Sequence, residues 1–256
     1  MKRALVLAIY GIVFVGLSYA FIIYFKTNRS TTPRQHDFFI LAEHDGAGII
    51  VTLRSTITPL INAIIQQELN LSDSDKSPSF KTPPHHNLTL YYIFDWLDGN
   101  DSLLAQVIDS AFTHNAIPAF DVTFGHPAFF GMHNDEIVVK INDPQGRLSK
   151  INTILKNALV GSHVLYNVKK SEYFPYVPHI ALGRLPVNDK LYFSSADGLK
   201  HLNNIKQRIE QEVFPIITQA LNAVATKLHV GSWCLYNVQQ KIKIKSNFFE
   251  NKTDRA

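Results

Sequence analysis

Apolar and polar positions divide the 256-residue chain into an N-terminal apolar run, a short polar stretch and a long region of alternating patterns. Ala4 to Phe25 is 22 residues without a charge. At a rise of ~1.5 Å per residue it makes a helix of ~33 Å, enough for a hydrocarbon core of ~30 Å. Lys2, Arg3 and Lys26 bracket the run, and Tyr19 and Tyr24 supply rings of the kind that prefer a membrane interface. The pattern predicts one transmembrane anchor over residues 1–25. A cleaved signal peptide is the competing reading, with Ser18-Tyr19-Ala20 as its small-x-small site. Cleavage there would leave Phe21 to Phe25 as an apolar stub, which an anchor instead uses to complete its span. Basic residues flank both ends almost equally, so charge does not fix which side carries the rest.

Residues 26–36 read as a linker, and the pattern then predicts a folded domain over 37–245 and a polar tail over 246–256. Gly48 to Leu53 is apolar and β-branched, as in a strand, and Ile57, Leu60, Ile61, Ile64, Ile65 and Leu69 follow at helical spacing. Ser72 to Pro84 is rich in Ser, Asp and Pro and reads as an exposed loop. Leu88 to Phe94 predicts a strand, Asp98 to Asp101 a turn and cap, and Leu103 to Phe112 a helix. Strands are expected at Ala119 to Phe124 and Glu136 to Ile141, around a loop rich in Gly, His and Phe, with a helix from Leu148. Val177 to Leu185 then reads as a strand, Leu199 to Ala225 as mostly helix, and His229 to Val238 as a closing strand. The expected fold is α+β and two-lobed, with strand-helix-strand units around a central cleft. No Gly-x-Gly-x-x-Gly follows the first strand, which argues against a dinucleotide-binding domain.

Composition changes little in this picture. With 46% hydrophobic and 18% charged residues the chain can bury an ordinary core. Cys234 is the one cysteine, so no intrachain disulfide forms. The net charge of +4 suits an anionic partner, but much of it lies in flanks such as Lys241, Lys243 and Lys245, which read as a solvated strand edge or tail. His126, His133 and Asp135 match no zinc spacing, and no metal or other cofactor is expected. No Gly-x-Ser-x-Gly elbow supports a serine hydrolase.

The chemistry lies in a repeated short pattern. Asn87-Leu88-Thr89-Leu90 and His179-Ile180-Ala181-Leu182 each alternate polar or small residues with apolar ones. In strands, Asn87 and Thr89 share one face, as do His179 and Ala181, with the apolar residues packed behind. Side by side, the two strands would line one cleft.

Pro178-His179-Ile180-Ala181-Leu182-Gly183-Arg184 resembles the Pro-His-apolar-Thr-Leu-x-Arg motif of the two-histidine (2H) phosphoesterases, the 2′-5′ RNA ligase-like family, and Leu88 to Ile93 looks like its partner. Phe129-Phe130-Gly131, the strand Glu136 to Ile141 and the helix from Leu148 fall in the family's order, so the likeness spans roughly Gly48 to Val238. It implies a cleft in which one histidine takes a proton from the nucleophile, another gives one to the leaving oxygen, and hydroxyls hold the phosphate, without a metal.

Two positions depart from the pattern. Asn87 stands where the first histidine is expected and Ala181 where the second hydroxyl is expected. Asparagine hydrogen-bonds a phosphate but does not shuttle a proton near neutral pH. His85 would share the face of Asn87 if the chain is extended there, and His86 would serve if a bulge shifts the register; a polar turn before the strand is the plain alternative for both. The resemblance implies His179 as proton carrier, His85 or His86 as the second, Thr89 and Asn87 as phosphate contacts and Arg184 as a contributor to the cleft. Tyr173, Phe174 and Tyr176 could rim it as a stacking surface for a base, or simply pack. The sequence therefore points to a single-pass membrane protein that hydrolyses a 2′,3′-cyclic phosphate or 2′-5′ link at RNA or nucleotide ends. A domain that has lost turnover and binds a nucleotide or a protein at the membrane is the alternative.

Overall fold

The computed structural model describes residues 36–71, 78–96, 101–131, 133–162, 166–171, 175–187, 193–224 and 227–249. The anchor predicted over 1–25, the linker as far as residue 35, Tyr173, Phe174 and the tail beyond 249 lie outside the described residues. Strand β1 (His36–His44) comes first and leads straight into helix α1 (Ala47–Glu68). No strand is legible at β1 from the sequence because both of its faces are apolar. Phe38, Ile40 and Ala42 enter the main core, whereas Phe39 and Leu41 belong to a small cluster on the other face.

Gly48 to Leu53, expected as a strand, forms the opening turns of α1 instead. Ile50, Leu53, Arg54, Ile57, Ile61, Ile64 and Ile65 make one buried stripe down this helix. Packing of that stripe outweighs the weak helix propensity of its β-branched residues. Among the described residues α1 alone is long and apolar enough to cross a membrane, and its stripe is packed in the domain core.

The chain continues through β2 (Leu88–Trp96), α2 (Asp101–His114), β3 (Phe120–Phe130), β4 (Glu136–Asn142), α3 (Arg147–Gly161), the single turn α4 (Val168–Ser171) and β5 (His179–Arg184). Then come α5 (Ala196–Arg208), a π-helical turn at Ile209–Val213, α6 (Phe214–Val224), β6 (Leu228–Asn237) and β7 (Ile242–Phe248). The sheet runs β2-β1-β6-β3-β4-β5, with β7 also paired to β6. Each pairing is antiparallel, as an α+β fold requires.

Three further expectations need correcting. The strand expected at His229 to Val238 is present as β6 but is not the last, because β7 follows it; β6 is interior, with β1 along one edge and β3 and then β7 along the other. The stretch rich in Gly, His and Phe is largely strand, since Pro127 to Phe130 pair with Glu136 to Val139. Residues 246–248, assigned to the tail, continue β7. Lys243 and Lys245, expected on a solvated strand edge or tail, lie in β7, which pairs with β6 on one side, and their ammonium groups reach Glu43 and Asp109.

The end strands β2 and β5 approach one another. The edge of β5 is covered by Lys81, which exchanges backbone hydrogen bonds of 2.8 and 3.0 Å with Arg184. Residues 81–87 thus lead from the edge of β5 into β2, so the two motif strands border a shared cleft.

Candidate active site

Both motif strands carry a bulge at the same place. In β2, Thr89 pairs with Leu41 while Tyr91 pairs with Ile40 and Tyr92 with Phe39, so Leu90 is an extra residue. In β5, His179 pairs with Lys140 and Ala181 with Val138, but Gly183 pairs with Ile137 and Arg184 with Glu136, so Leu182 is extra. The simple two-residue alternation therefore holds through Thr89 and Ala181 and then reverses. Tyr91 packs in the core, where it is 3% exposed, Tyr92 on the opposite face is less buried, and both rings border the cleft cavity. Gly183 stands at the matching point of β5. A Cβ there would come within 2.2 Å of the Phe80 ring, so the close approach of Phe80 demands glycine. Asn87-Thr89-Tyr92 thus corresponds to His179-Ala181-Arg184, and Asn87 occupies the position equivalent to His179.

His179 is 6% exposed, and its Nδ1 lies 2.7 Å from the carbonyl oxygen of Val177. A carbonyl only accepts, so Nδ1 carries the hydrogen and the neutral ring keeps its lone pair on Nε2. The ring of Phe130 packs against the imidazole with centroids 4.2 Å apart. Burial pushes the pKa of His179 below its ordinary value, against the upward pull of the Val177 carbonyl and Glu136. At neutral pH the group is an unprotonated base.

His179, Tyr176 and Arg184 line a cavity of about 600 Å³, together with Tyr92, Phe94 and Phe130. That volume falls within the range of small-molecule sites, roughly 300–1,000 Å³. Arg184 reaches Asp135 at 3.5 Å and Glu136 at 3.7 Å, so its charge is offset by two carboxylates. The Tyr176 ring borders the cavity while its hydroxyl donates to the Thr89 carbonyl at 3.1 Å, tying the approach to β5 onto β2. Burial drives the Tyr176 phenol well above its ordinary pKa.

The other half of the cleft is filled. His85, His86, Asn87 and Thr89 are not among the residues lining the cavity. Thr89 is 7% exposed, and its side chain is hydrogen-bonded to the Tyr92 phenol, whose pKa burial pushes up to about 12. The Asn87 amide nitrogen lies 4.0 Å from Sγ of Cys234, a thiol that burial raises to about 12. The chain before β2 is not an extended strand, so the geometry that would set His85 beside Asn87 does not arise. The His85 ring folds back between Phe39 and Tyr236, 5.5 Å from each centroid. Its Nδ1 is buried without a hydrogen-bond partner. Burial first, then the fields of Arg54 and His86, push its pKa down to about 4. Burial lowers His86 as well, and its carbonyl accepts from His44 Nε2 at 3.1 Å.

One residue joins the two motifs and was not singled out from the sequence. Arg54 Nη2 donates to the carbonyls of His85 at 2.7 Å and Ala181 at 2.6 Å, and Nη1 donates to Pro83 at 3.2 Å. Burial lowers its pKa to about 10, still far above neutrality, so a buried cation with three carbonyl partners pins both halves of the cleft. The available signal was a lone charge inside the apolar stripe of α1. Among the described residues, no three His, Cys, Asp or Glu side chains cluster as a metal would need, and His126, His133 and Asp135 form no such group.

The sequence model of the 2'-5' RNA ligase superfamily matches residues 60–220. No curated protein matches the chain. Among solved structures, Usb1 of Kluyveromyces marxianus with uridine monophosphate is similar at a TM-score of 0.53 and 11% identity, over 86% of this chain and 100% of that one. The protein TT0787 of Thermus thermophilus gives 0.49 and 11% identity over 84% and 99% of the two chains. Escherichia coli LigT with 3'-AMP gives 0.45 and 12% over 85% and 100%. The likeness to Usb1 is one of fold, and the two lower scores carry no argument of their own. The sequence match begins within α1 and ends in α6, taking in both bulged motif strands and everything between them: the chain belongs to the 2'-5' RNA ligase superfamily, the 2H phosphoesterases.

Proposed function

We propose that the domain is a 2H phosphodiesterase acting, without a metal, on RNA ends or small nucleotides that carry a 2′,3′-cyclic phosphate or a 2′-5′ linkage. The apolar run over residues 4–25 holds it at a membrane as a single-pass anchor. The observation that carries the reading is His179, a buried imidazole whose Nδ1 is committed to Val177 at 2.7 Å, which leaves Nε2 as the base beside the cavity. In the hydrolytic direction a water oxygen attacks phosphorus and its proton passes to Nε2. The bond from phosphorus to the ribose 2′ or 3′ oxygen breaks, and that oxygen takes a proton from a second carrier or from water. His85, with a pKa near 4, holds no proton to give at neutral pH, and His86, also lowered by burial, does not line the cavity, so in this reading the proton comes from water. Arg184 supplies a cation beside the base, while Asn87 and Thr89, outside the cavity lining and engaged with Cys234 and Tyr92, make no direct contact with the phosphate in this reading. Uridine monophosphate in the Usb1 structure supports a nucleotide as the ligand class.

A second reading is a nucleotide- or protein-binding module at the membrane with little turnover. It is favoured by Asn87 in the place equivalent to His179 and by the two carboxylates that offset Arg184. Phosphorus-31 NMR of the full-length protein with 2′,3′-cyclic uridine monophosphate separates the two. A single 2′- or 3′-phosphomonoester supports the enzyme. Saturable binding without product favours the binding module, and neither binding nor product would refute both. Resistance of the protein to alkaline extraction from membranes tests the anchor.

A further inference from the structure

We infer that the end of the domain at which β1 begins is a docking face for an anionic lipid bilayer, with Lys169 and Lys241 as its cationic contacts. This rests on the reading of residues 4–25 as a membrane anchor and not on the role of His179.

Chain connectivity selects this end. The apolar run closes at Phe25 and β1 begins at His36, so only residues 26–35 separate the two. The ten residues of that stretch reach at most ~36 Å even when fully extended. The nine residues of β1 set its own two ends roughly 26 Å apart. An anchor therefore confines the His36 end of the sheet to the neighbourhood of the headgroups, while the His44 end can stand off.

β1 lies between β2 and β6, so two further segments share this end. His36 pairs with Trp96, the last residue of β2, and Phe38 pairs with Asn237, the last of β6. The turn 238–241 is fastened to β1 by the Val238 N–H, which donates to the Asp37 carbonyl at 3.0 Å, and by the Asp37 N–H, which donates to the Gln239 side chain at 2.8 Å. On the other side the Asp37 carboxylate accepts the Asp95 N–H at 2.9 Å. Asp95 in turn receives Asn167 Nδ2 at 2.9 Å and Lys170 Nζ at 3.2 Å, and the Asn167 N–H donates to the Phe94 carbonyl at 2.8 Å. Asp37 thus ties α4 and the turn 238–241 into one rim around the start of β1.

The chemistry of the rim suits an anionic surface. Lys169 and Lys241 are exposed, and among the described residues neither enters an ion pair. Lys170 adds little, because Asp95 offsets its charge. Asp37 and Asp95 are turned into the bonds that hold the rim, which leaves Asp101, half-buried at the head of α2, as the other acid of the described residues here. Val168, beside Lys169 on α4, is 38% exposed and gives an apolar contact next to the cationic one. A lysine close to an anionic leaflet is worth about fivefold in the ratio of docked to free domain, an effect that fades within about 10 Å at ordinary salt. The short reach of residues 26–35 supplies that closeness. Phe94, Lys170 and Ser171 line one end of the cavity and belong to the same rim, so docking brings that end of the candidate site to the bilayer surface.

The test uses the full-length protein in nanodiscs with nitroxide-labelled headgroups, carrying a fluorophore at Gln240→Cys on the rim or at Gly48→Cys beyond the far end of β1. Both positions are exposed, and a Cβ at Gly48 meets nothing within 4 Å. Cys234, 1% exposed, stays unlabelled in the folded protein. In discs containing phosphatidylserine the Gln240 label should be quenched several-fold more than the Gly48 label, and the excess should fall in discs of phosphatidylcholine alone. Lys169→Glu together with Lys241→Glu, in the Gln240→Cys protein, should cut the docked-to-free ratio by at least about thirtyfold and bring quenching down to the phosphatidylcholine level. Equal quenching at the two positions in phosphatidylserine discs, or quenching at Gln240 untouched by the two charge reversals, would overturn the docking face and leave the anchor intact. Protein that does not remain with the discs overturns the anchor and the docking face together.

Discussion

His85 gives the sharpest quantitative expectation, because its ring is held between Phe39 and Tyr236 with a buried, unpartnered Nδ1. An unfolded histidine takes up its proton near pH 6.5, whereas the folded one does so only near 4. Two and a half powers of ten in proton affinity, at about 1.4 kcal/mol each, amount to about 3 kcal/mol; partial solvent access trims this to about 2. Between pH 6.5 and 4 the unfolded chain binds more protons than the folded one. Stability from this group is therefore fully present above 6.5, declines as pH falls, and is gone below 4. Burial lowers His44, His86 and His179 too, so they add to the trend in the parent. His85→Phe isolates the one contribution. Urea unfolding followed by the buried Trp96 and Trp233, at pH 7.5 and 4.5, should show the variant losing about 2 kcal/mol less than the parent on acidification. At pH 7.5 the variant should be about as stable as the parent, since an unsatisfied ring nitrogen is replaced by carbon. Parallel losses in the two proteins would refute the placement of His85.

Arg54→Met should destabilise the fold by about 3–5 kcal/mol in the same unfolding assay, because three carbonyls lose a charged donor. A loss below about 1 kcal/mol would mean that Arg54 does not join the motifs. Asn87→His, in the place equivalent to His179, should raise kcat on a 2′,3′-cyclic nucleotide by up to ~10²-fold if a missing proton carrier limits the rate; unchanged kcat would show that it does not. With the His179 pKa lowered by burial, kcat/KM should be flat through neutral pH and fall only below about pH 6.5 as the base is protonated. A bell-shaped profile with a second limb near neutrality would instead reveal another titrating group.

Much of the fold was legible because most strands and helices here have one polar face. β2, β4, β5 and the helices after them stand close to where their periodicity put them. β1 was hidden by having apolar residues on both faces, and the start of α1 by β-branched residues that suit either period until packing decides. The motif pair was readable as a repeat, and the sheet places its members at equivalent points of β2 and β5. The bulges that turn Tyr92 and Arg184 to the cleft were not readable, because a one-residue insertion in a ladder depends on the partner strand. Nor was the turn of His85 away from Asn87, which follows from the path of residues 81–87 along the edge of β5. Arg54 acts through carbonyls far away in sequence, and backbone acceptors leave no residue pattern.

The claim that His179 is the working base is tested most directly by turnover of a 2′,3′-cyclic nucleotide by the full-length parent and by His179→Ala, each shown to be folded. Hydrolysis by the parent is expected, with a loss of about 10²- to 10⁴-fold in kcat in the variant. Equal turnover by the two proteins would contradict that role for His179.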